Sequence, residues 1–388
     1  MLEDRRGEYT SEEDSLPGDL PLDIDDDVPM EAAREEYESN YERPFLDSAS
    51  RTLFHTPRDD EDTINSTRSL YDSDISYTTL YHRRYCKDYY MPNDEEEQTR
   101  TQILHNVFLF MLDQKLTTVP LDNPQKILDI GTGTGEWAMA MGDEYPDTEI
   151  IGTDIAKIQP TAAPLNVFFE IDDAEEEGGW MWDEDEFDFI HCRSMQGAFK
   201  DWKHIYTEAF QHLKPGGWIE IIDFDDHQAL LTFFKDYPVV IEWLHTVLQA
   251  SILSGRPRTA LHLEPERLTE LGFVDAKTTS KIIPIGIWPE DPVAQQIGKQ
   301  FLVTQLSGIE GVSLRLLVET MGWDLEDAVK LVEAAVNATR RVALDSENNR
   351  GIGFKVKILV GRKPGGTDAD DSSTKTITNL HDETVSDT

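Results

Sequence analysis

Short apolar runs ending in acids or glycines recur through the middle of the chain, and their spacing predicts a parallel sheet. Lys126-Ile127-Leu128-Asp129-Ile130 is one such run, and it breaks into Gly131-Thr132-Gly133-Thr134-Gly135 before a helix that starts near Glu136 and ends around Gly142. Glu149 to Asp154 reads as a second buried strand, Val167 to Ile171 as a third and Phe187 to Arg193 as a fourth, with a helix after it. Leu213 to Asp223 carries a helix end, a Pro-Gly-Gly turn and a fifth strand. Gly272 to Ala276 and Lys355 to Val360 look like a sixth and a seventh. Strands alternating with helical segments predict an α/β fold with a doubly wound parallel sheet.

Helical patterns flank the sheet. Asn93 and Asp94 offer an N-cap, and Glu95, Glu96 and Glu97 an acidic first turn, for a helix with apolar positions at Ile103, Leu104, Val107, Phe108 and Met111. That helix is expected to pack on the first strand. Val239, Val240, Trp243, Leu244, Val247 and Leu248 make a second amphipathic helix, and later ones centre on Phe301, Leu316 and Val332. They are expected to form a helical cap over the substrate side; packing within the chain and a partner interface are the two readings of their apolar faces.

A buried strand that runs through glycines into a helix places bare backbone N–H groups at the carboxyl edge of the sheet, where nucleotide-like ligands bind. A dinucleotide loop wants G-x-G-x-x-G, with the third glycine packing helix and strand over a pyrophosphate. Here Gly135 comes one residue early and Glu136 takes the required place, which counts against a nicotinamide dinucleotide. An acid two residues before Gly131 suits a cofactor with no pyrophosphate and an ammonium group to pair with Asp129. S-adenosylmethionine fits that description. Asp154, about twenty residues past the glycines, is the expected ribose ligand, since a carboxylate accepts two hydrogen bonds from a vicinal diol. Asp172 or Asp173, after the third strand, could accept from an adenine amine.

With these residues in place the chain resembles the class I S-adenosylmethionine-dependent methyltransferases, specifically the fungal LaeA-like group. The resemblance rests on Leu128 to Gly135, the Asp154 strand end, Glu170 to Ala174, Lys200-Asp201-Trp202 and Leu213 to Trp218. Tyr81-His82, Met91 to Gln98, Val312-Ser313-Leu314, Met321-Gly322-Trp323 and Gly361 to Pro364 extend it over roughly Tyr81 to Pro364. The glycine loop is generic to the superfamily, whereas Pro92-Asn93-Asp94-Glu95 is specific to the group. It implies a Rossmann-like seven-stranded sheet with an antiparallel last strand and an N-terminal helical lid. It also implies that Tyr81, with His82 and Tyr89, lies at the cofactor mouth, and that Met195, Gln196 and Gly197 shape the wall beside the methyl group. Arg84 and Lys87 stand where the group has a tyrosine and a glycine, and Arg350 to Phe354 replaces an aromatic-rich stretch.

Composition divides the chain. Residues 1–75 are rich in Asp, Glu, Ser and Pro, with acidic runs at Glu12-Glu13-Asp14 and Asp25-Asp26-Asp27, and are expected to be a disordered acidic region. Residues 76–364 are the expected methyltransferase domain: lid 76–120, sheet core 121–225, cap and C-terminal strands 226–364. Residues 365–388 read as a disordered tail. A formal net charge of −41 repels nucleic-acid phosphates, so direct DNA or RNA binding is not expected. The basic cluster His82 to Lys87 reads as balancing the acidic turn Asp94 to Glu97. Cys86 and Cys192 cannot make a disulfide framework or a zinc site, and no metal is expected. The first residues lack a signal peptide's apolar core, and no run approaches the ~18 apolar residues of a membrane helix. The expectation is an intracellular protein away from membranes; nucleus and cytoplasm stay open, with the resemblance favouring the nucleus.

Methyl transfer from a sulfonium is an in-line displacement of an already activated donor, so alignment and exclusion of water dominate and an acid–base pair is optional. For a hydroxyl or amine acceptor a base would sit after the fourth or fifth strand, which makes His191, Arg193, Asp223, Asp225 and His227 the candidates. The resulting expectation is a LaeA-like methyltransferase acting on a secondary-metabolite or protein acceptor. The alternative is a regulatory subunit of a nuclear complex controlling fungal secondary metabolism, working through protein partners; the acceptor cannot be read from the sequence.

Overall fold

The computed structural model describes residues 75–365 apart from Asp226, Ser346, Asn348 and Asn349. The expected acidic region and tail lie, except for boundary residues Ile75 and Gly365, outside the described residues.

A seven-stranded sheet holds the centre: β3 (Lys126–Ile130), β4 (Glu149–Asp154), β5 (Val167–Ile171), β6 (Phe187–Arg193), β7 (Leu213–Phe224), β8 (Val274–Pro284) and β9 (Gly353–Arg362). Their order is β5-β4-β3-β6-β7-β9-β8. β5, β4, β3, β6 and β7 pair in parallel, and β9 runs antiparallel between β7 and β8. The chain leaves β3 towards β4 on one side and returns to β6 on the other. Such a reversal opens a crevice at the carboxyl ends of the central strands. The sixth strand is twice as long as its apolar start suggests, because beyond a bulge at Asp275 and Ala276 β9 supplies partners from Lys277 to Pro284.

The central strands are buried on both faces, which explains their near-continuous apolar runs, whereas the edge strand β8 is largely exposed. Neighbouring residues serve opposite faces: Ile127 and Phe189 join one core, Leu128 and Ile190 the other. The second core is closed by α3 (Trp202–His212), capped by the Asp201 side chain. The first is closed by α1 (Glu95–Met111), α2 (Glu136–Glu144), α5 (Pro238–Leu253), which follows the short α4 (His227–Phe233), and α7 (Pro292–Arg315). α6 (Glu266–Thr269) precedes β8, and α8 (Leu325–Leu344) packs on α5 and α7.

Three expectations are corrected or refined. The N-terminal lid begins as a hairpin, β1 (Tyr77–Leu80) and β2 (Arg83–Cys86), because alternating aromatic, β-branched and polar residues favour strands over a helix. α1 starts at the expected cap, where Asp94 Oδ1 accepts from Glu97 N at 3.1 Å, but lies chiefly along α7, while its Leu104, Val107 and Phe108 share one core with Ile127 of β3. Finally, the continuous helical stretch Pro292–Thr320 is long and apolar enough to cross a membrane by length and composition. Its apolar surface is spent inside the fold, against α1, α8 and β8, with Phe301, Leu316 and Leu317 fully buried.

Candidate active site at the carboxyl ends of the strands

The crevice is a cavity of about 310 Å³ bounded by the β2–α1 loop, the ends of β3, β4 and β6, and the inner faces of α1, α5 and α7. Sequence-distant segments converge here because the sheet reverses direction at β3.

The glycine loop forms its floor. Gly131 has φ +69°, a backbone conformation that L side chains rarely adopt, and a Cβ there would push on the Met195 side chain beyond β6. At Gly133, also at positive φ and lining the cavity, a Cβ would meet nothing within 4 Å: the backbone faces open space. Gly135 plays a different part from the one expected. It does not line the cavity but caps α2 and packs against Phe169, so its role is in the helix–strand junction.

Asp154 lines the cavity, its Oδ2 accepting from Gly133 N and its Oδ1 from Ala156 N, each at 2.9 Å. Burial pushes its pKa up to about 6 despite these bonds. Asp172 lines the same end and is also raised to about 6, by burial first and the nearby Glu170 charge second. Asp173 is paired with Lys87 Nζ at 3.0 Å, so one family departure, Lys87, ties the lid to the β5 end. The other, Arg84, donates to Asn93 Oδ1 at 2.7 Å.

Deeper in, Asp129 accepts from Thr132 Oγ1 and pairs with His191 Nδ1, both at 2.7 Å. The His191 ring lies flat on Trp137, 3.8 Å between centroids, and its Nε2 has no protein partner. Arg193 Nη2 meets His105 Nδ1 at 2.9 Å, and its guanidinium sits over Phe108 at 4.9 Å. Asp223 is fully buried on the cavity wall; Oδ1 accepts from Phe224 N, and Oδ2 stands 3.3 Å from His262 Nε2 without hydrogen-bond geometry.

Other expected residues fall elsewhere. Tyr81 is not at the mouth: with His82 it forms the hairpin turn, both at positive φ, and its hydroxyl donates to Glu319 at 2.6 Å. The exposed His82 is also outside the cavity, whereas Tyr89 lines it. Asp225 is neutralised by Lys355 and Lys357 at 2.9 and 3.0 Å. His227 lines a separate cavity of about 90 Å³. Met195 and Gln196 do form wall, while Gly197 closes against the Tyr90 hydroxyl. Sequence reasoning missed His105, Arg100, Trp243, Arg258 and Gln305, which reach the cavity from helices and a loop. Only the amphipathic pattern of those helices signalled them.

A doubly wound sheet with a glycine floor, acids after its second and third parallel strands and an antiparallel β9 defines a class I methyltransferase. The methyltransferase domain family matches residues 103–261. Methyltransferase pytC of Aspergillus terreus is 36% identical over 314 residues, 78% of this chain and 93% of the relative. Secondary metabolism regulator LAE1 of Cochliobolus heterostrophus is 31% identical over 71% of this chain and 90% of its own length. The protein-methionine methyltransferase laeA of Emericella nidulans is 29% identical over 61% of this chain and 64% of its own. The chain belongs to the LaeA-like family of S-adenosylmethionine-dependent methyltransferases.

The residues present fit that cofactor. The open cradle at Gly133 admits a ligand against bare backbone, and buried polar atoms such as His191 Nε2 and Asp223 Oδ2 line the space without protein partners. When bound, the cofactor supplies a sulfonium-activated methyl group.

Proposed function

We propose that the cavity binds S-adenosylmethionine along the strand ends and presents its methyl group towards His191, Met195 and Asp223, where a secondary-metabolite or protein acceptor enters. The observation that carries this reading is that one cavity is lined both by the glycine floor, Asp154 and Asp172 and by apolar residues such as Phe108, Trp243 and Val312. Asp154 serves the ribose diol, Asp172 and Asp173 the adenine, and Gly131 and Gly133 let the cofactor approach the backbone. Asp129 faces the amino-acid half. Residues 76–364 form the catalytic unit.

Phe108, Trp243, Ile309 and Val312 give the acceptor side an apolar wall, with His105, Arg258 and Gln305 as polar points. Such a lining suits an organic molecule with a few polar groups or a single protein side chain. The name of the Emericella nidulans relative supports a methionine side chain as one candidate acceptor. His191 is the best-placed base: Asp129 fixes its Nδ1 and Trp137 its ring plane, leaving Nε2 as the reactive nitrogen. Asp223 is the second candidate. Arg193 cannot serve as the base, because with its pKa lowered by burial to about 10 it stays protonated at neutral pH.

Calorimetry of the purified chain tests the reading: S-adenosylmethionine binds, NAD does not, and Asp154→Ala abolishes binding. Binding of NAD alone overturns it. Loss of cofactor binding in Asp154→Ala with the cellular phenotype intact would instead favour action through regulatory partners.

A further inference from the structure

Arg193 ends β6 beside the end of β3, where Asp129 stands, and the two strands are directly paired with Asp129 opposite His191. Both side chains line the cavity, one acidic and one basic, yet Arg193 forms no ion pair with a carboxylate among the described residues. Its one polar contact is His105 Nδ1, and its one ring contact is Phe108. Burial, with the charges of Arg193 and His191, holds the His105 pKa well below the ordinary histidine range, so His105 is a neutral acceptor. It orients the guanidinium without neutralising it. The remaining Arg193 N–H groups are not buried without partners, and the surface they expose is cavity wall.

Arg193 feels the charges of Asp129, Glu136 and Glu220 without forming an ion pair with any of them among the described residues, and a ligand that brings a carboxylate into direct hydrogen bonding with a desolvated guanidinium gains more than such distant attraction supplies. The α-amino acid end of a methionine derivative is such a ligand, since it carries an ammonium and a carboxylate on one carbon.

We propose that Asp129 and Arg193 form a zwitterion clamp in which Arg193, positioned by His105, receives the carboxylate of the cofactor's methionyl end. This rests on the cofactor reading above, and it adds the residue that recognises the carboxylate. A planar guanidinium offers a carboxylate two parallel N–H donors. A carboxylate borne by the acceptor has the same chemistry, and the two sources separate by experiment.

The test measures binding of three probes to the full chain and to Arg193→Gln. They are S-adenosylmethionine, its decarboxylated form, and 5′-methylthioadenosine, which lacks the amino-acid half. The expected result is roughly a ten- to hundred-fold loss for S-adenosylmethionine, the scale of a lost charged hydrogen bond. The decarboxylated form and 5′-methylthioadenosine change less than about two-fold on the same scale. Arg193→Lys, which keeps the charge but not the fork, restores part of the loss. Equal loss of all three probes overturns the proposal, because Arg193 then acts on the shape of the site. No loss of S-adenosylmethionine assigns Arg193 to the acceptor and overturns it too. If the wild-type chain binds none of the probes, the cofactor reading itself has failed. A thermal melt of each variant accompanies the titrations, and Arg193→Lys carries the test if Arg193→Gln does not fold.

Discussion

At the scale of single residues, the cofactor end is marked by carboxylates that are hard to ionise. Burial pushes the Asp154 and Asp172 carboxyls up to about 6, because their surroundings solvate charge poorly. A ribose hydroxyl or an adenine amine donates to such an acid and favours its ionised form, as does the positive sulfonium. Ligand binding therefore releases protons below that pKa. S-adenosylmethionine affinity is expected to rise from pH 5 to pH 7 and then level off, with proton release in calorimetry at the acidic end. Replacing Asp154 by Asn removes one titration and flattens part of the profile. A profile that is flat across this range, or that falls as pH rises, would contradict the assignment of these acids. Asp129 was legible as a site residue because the acid–glycine motif is local. Arg193 and His105 were not legible as a pair, since 88 positions separate them and only the folded sheet brings them to 2.9 Å.

At the scale of elements, the central strands β3, β4 and β6 were readable because their residues are almost all buried and their apolar runs stand out from the polar loops around them, whereas the half-exposed edge strand β8 was read at only its first residues. The lid was not readable. Tyr81 reads as an aromatic at the cofactor mouth, but both turn residues adopt positive φ, as a two-residue hairpin turn requires, and the side chain reaches Glu319 instead. The packing of α1 was equally unreadable: an apolar face says that a helix is covered and not by which element. What joins hairpin and helix is Arg83, whose Nε and Nη2 donate to the two oxygens of Asp94 at 2.7 and 3.0 Å. Asp94 also caps α1, and Arg83 is only 5% exposed. Arg83→Ala leaves Asp94 its backbone donors but removes its charged partner, and is expected to lower unfolding stability by about 3 kcal/mol, measured by urea denaturation. Arg83→Lys should recover less than half, because an ammonium cannot reproduce the two-pronged contact. A change within about 0.5 kcal/mol, typical of a surface substitution, would place the tie at the periphery of the fold.

At the scale of the whole molecule, the cavity belongs to no single layer. Its floor is the sheet, one wall is the β2–α1 loop, and the rest comes from α1, α5, α7 and the segment carrying Arg256 and Arg258. Arg256 crosses this assembly, donating to Glu175 Oε2 at 2.9 Å beyond β5 and lying 3.5 Å from Asp88 in the lid. Arg315 of α7 donates to the carbonyls of Tyr89 and Lys87 at 2.8 and 3.0 Å. A ligand filling the cavity touches all these parts at once, so its binding energy resists opening of each. At a hundred-fold excess over its dissociation constant it stabilises the folded chain by about 2.7 kcal/mol. The distribution of that gain is the sharper expectation. Hydrogen exchange with S-adenosylhomocysteine should slow in three separate stretches, around residues 86–108, 129–136 and 304–315, while the hairpin tip at Tyr81 and His82 stays unchanged. Protection limited to the glycine loop would mean that lid and cap pack on the sheet independently of the ligand. Protection in all three stretches makes closing the cavity and binding the cofactor a single cooperative event, and water is then excluded from the methyl group by the same contacts that hold the cofactor.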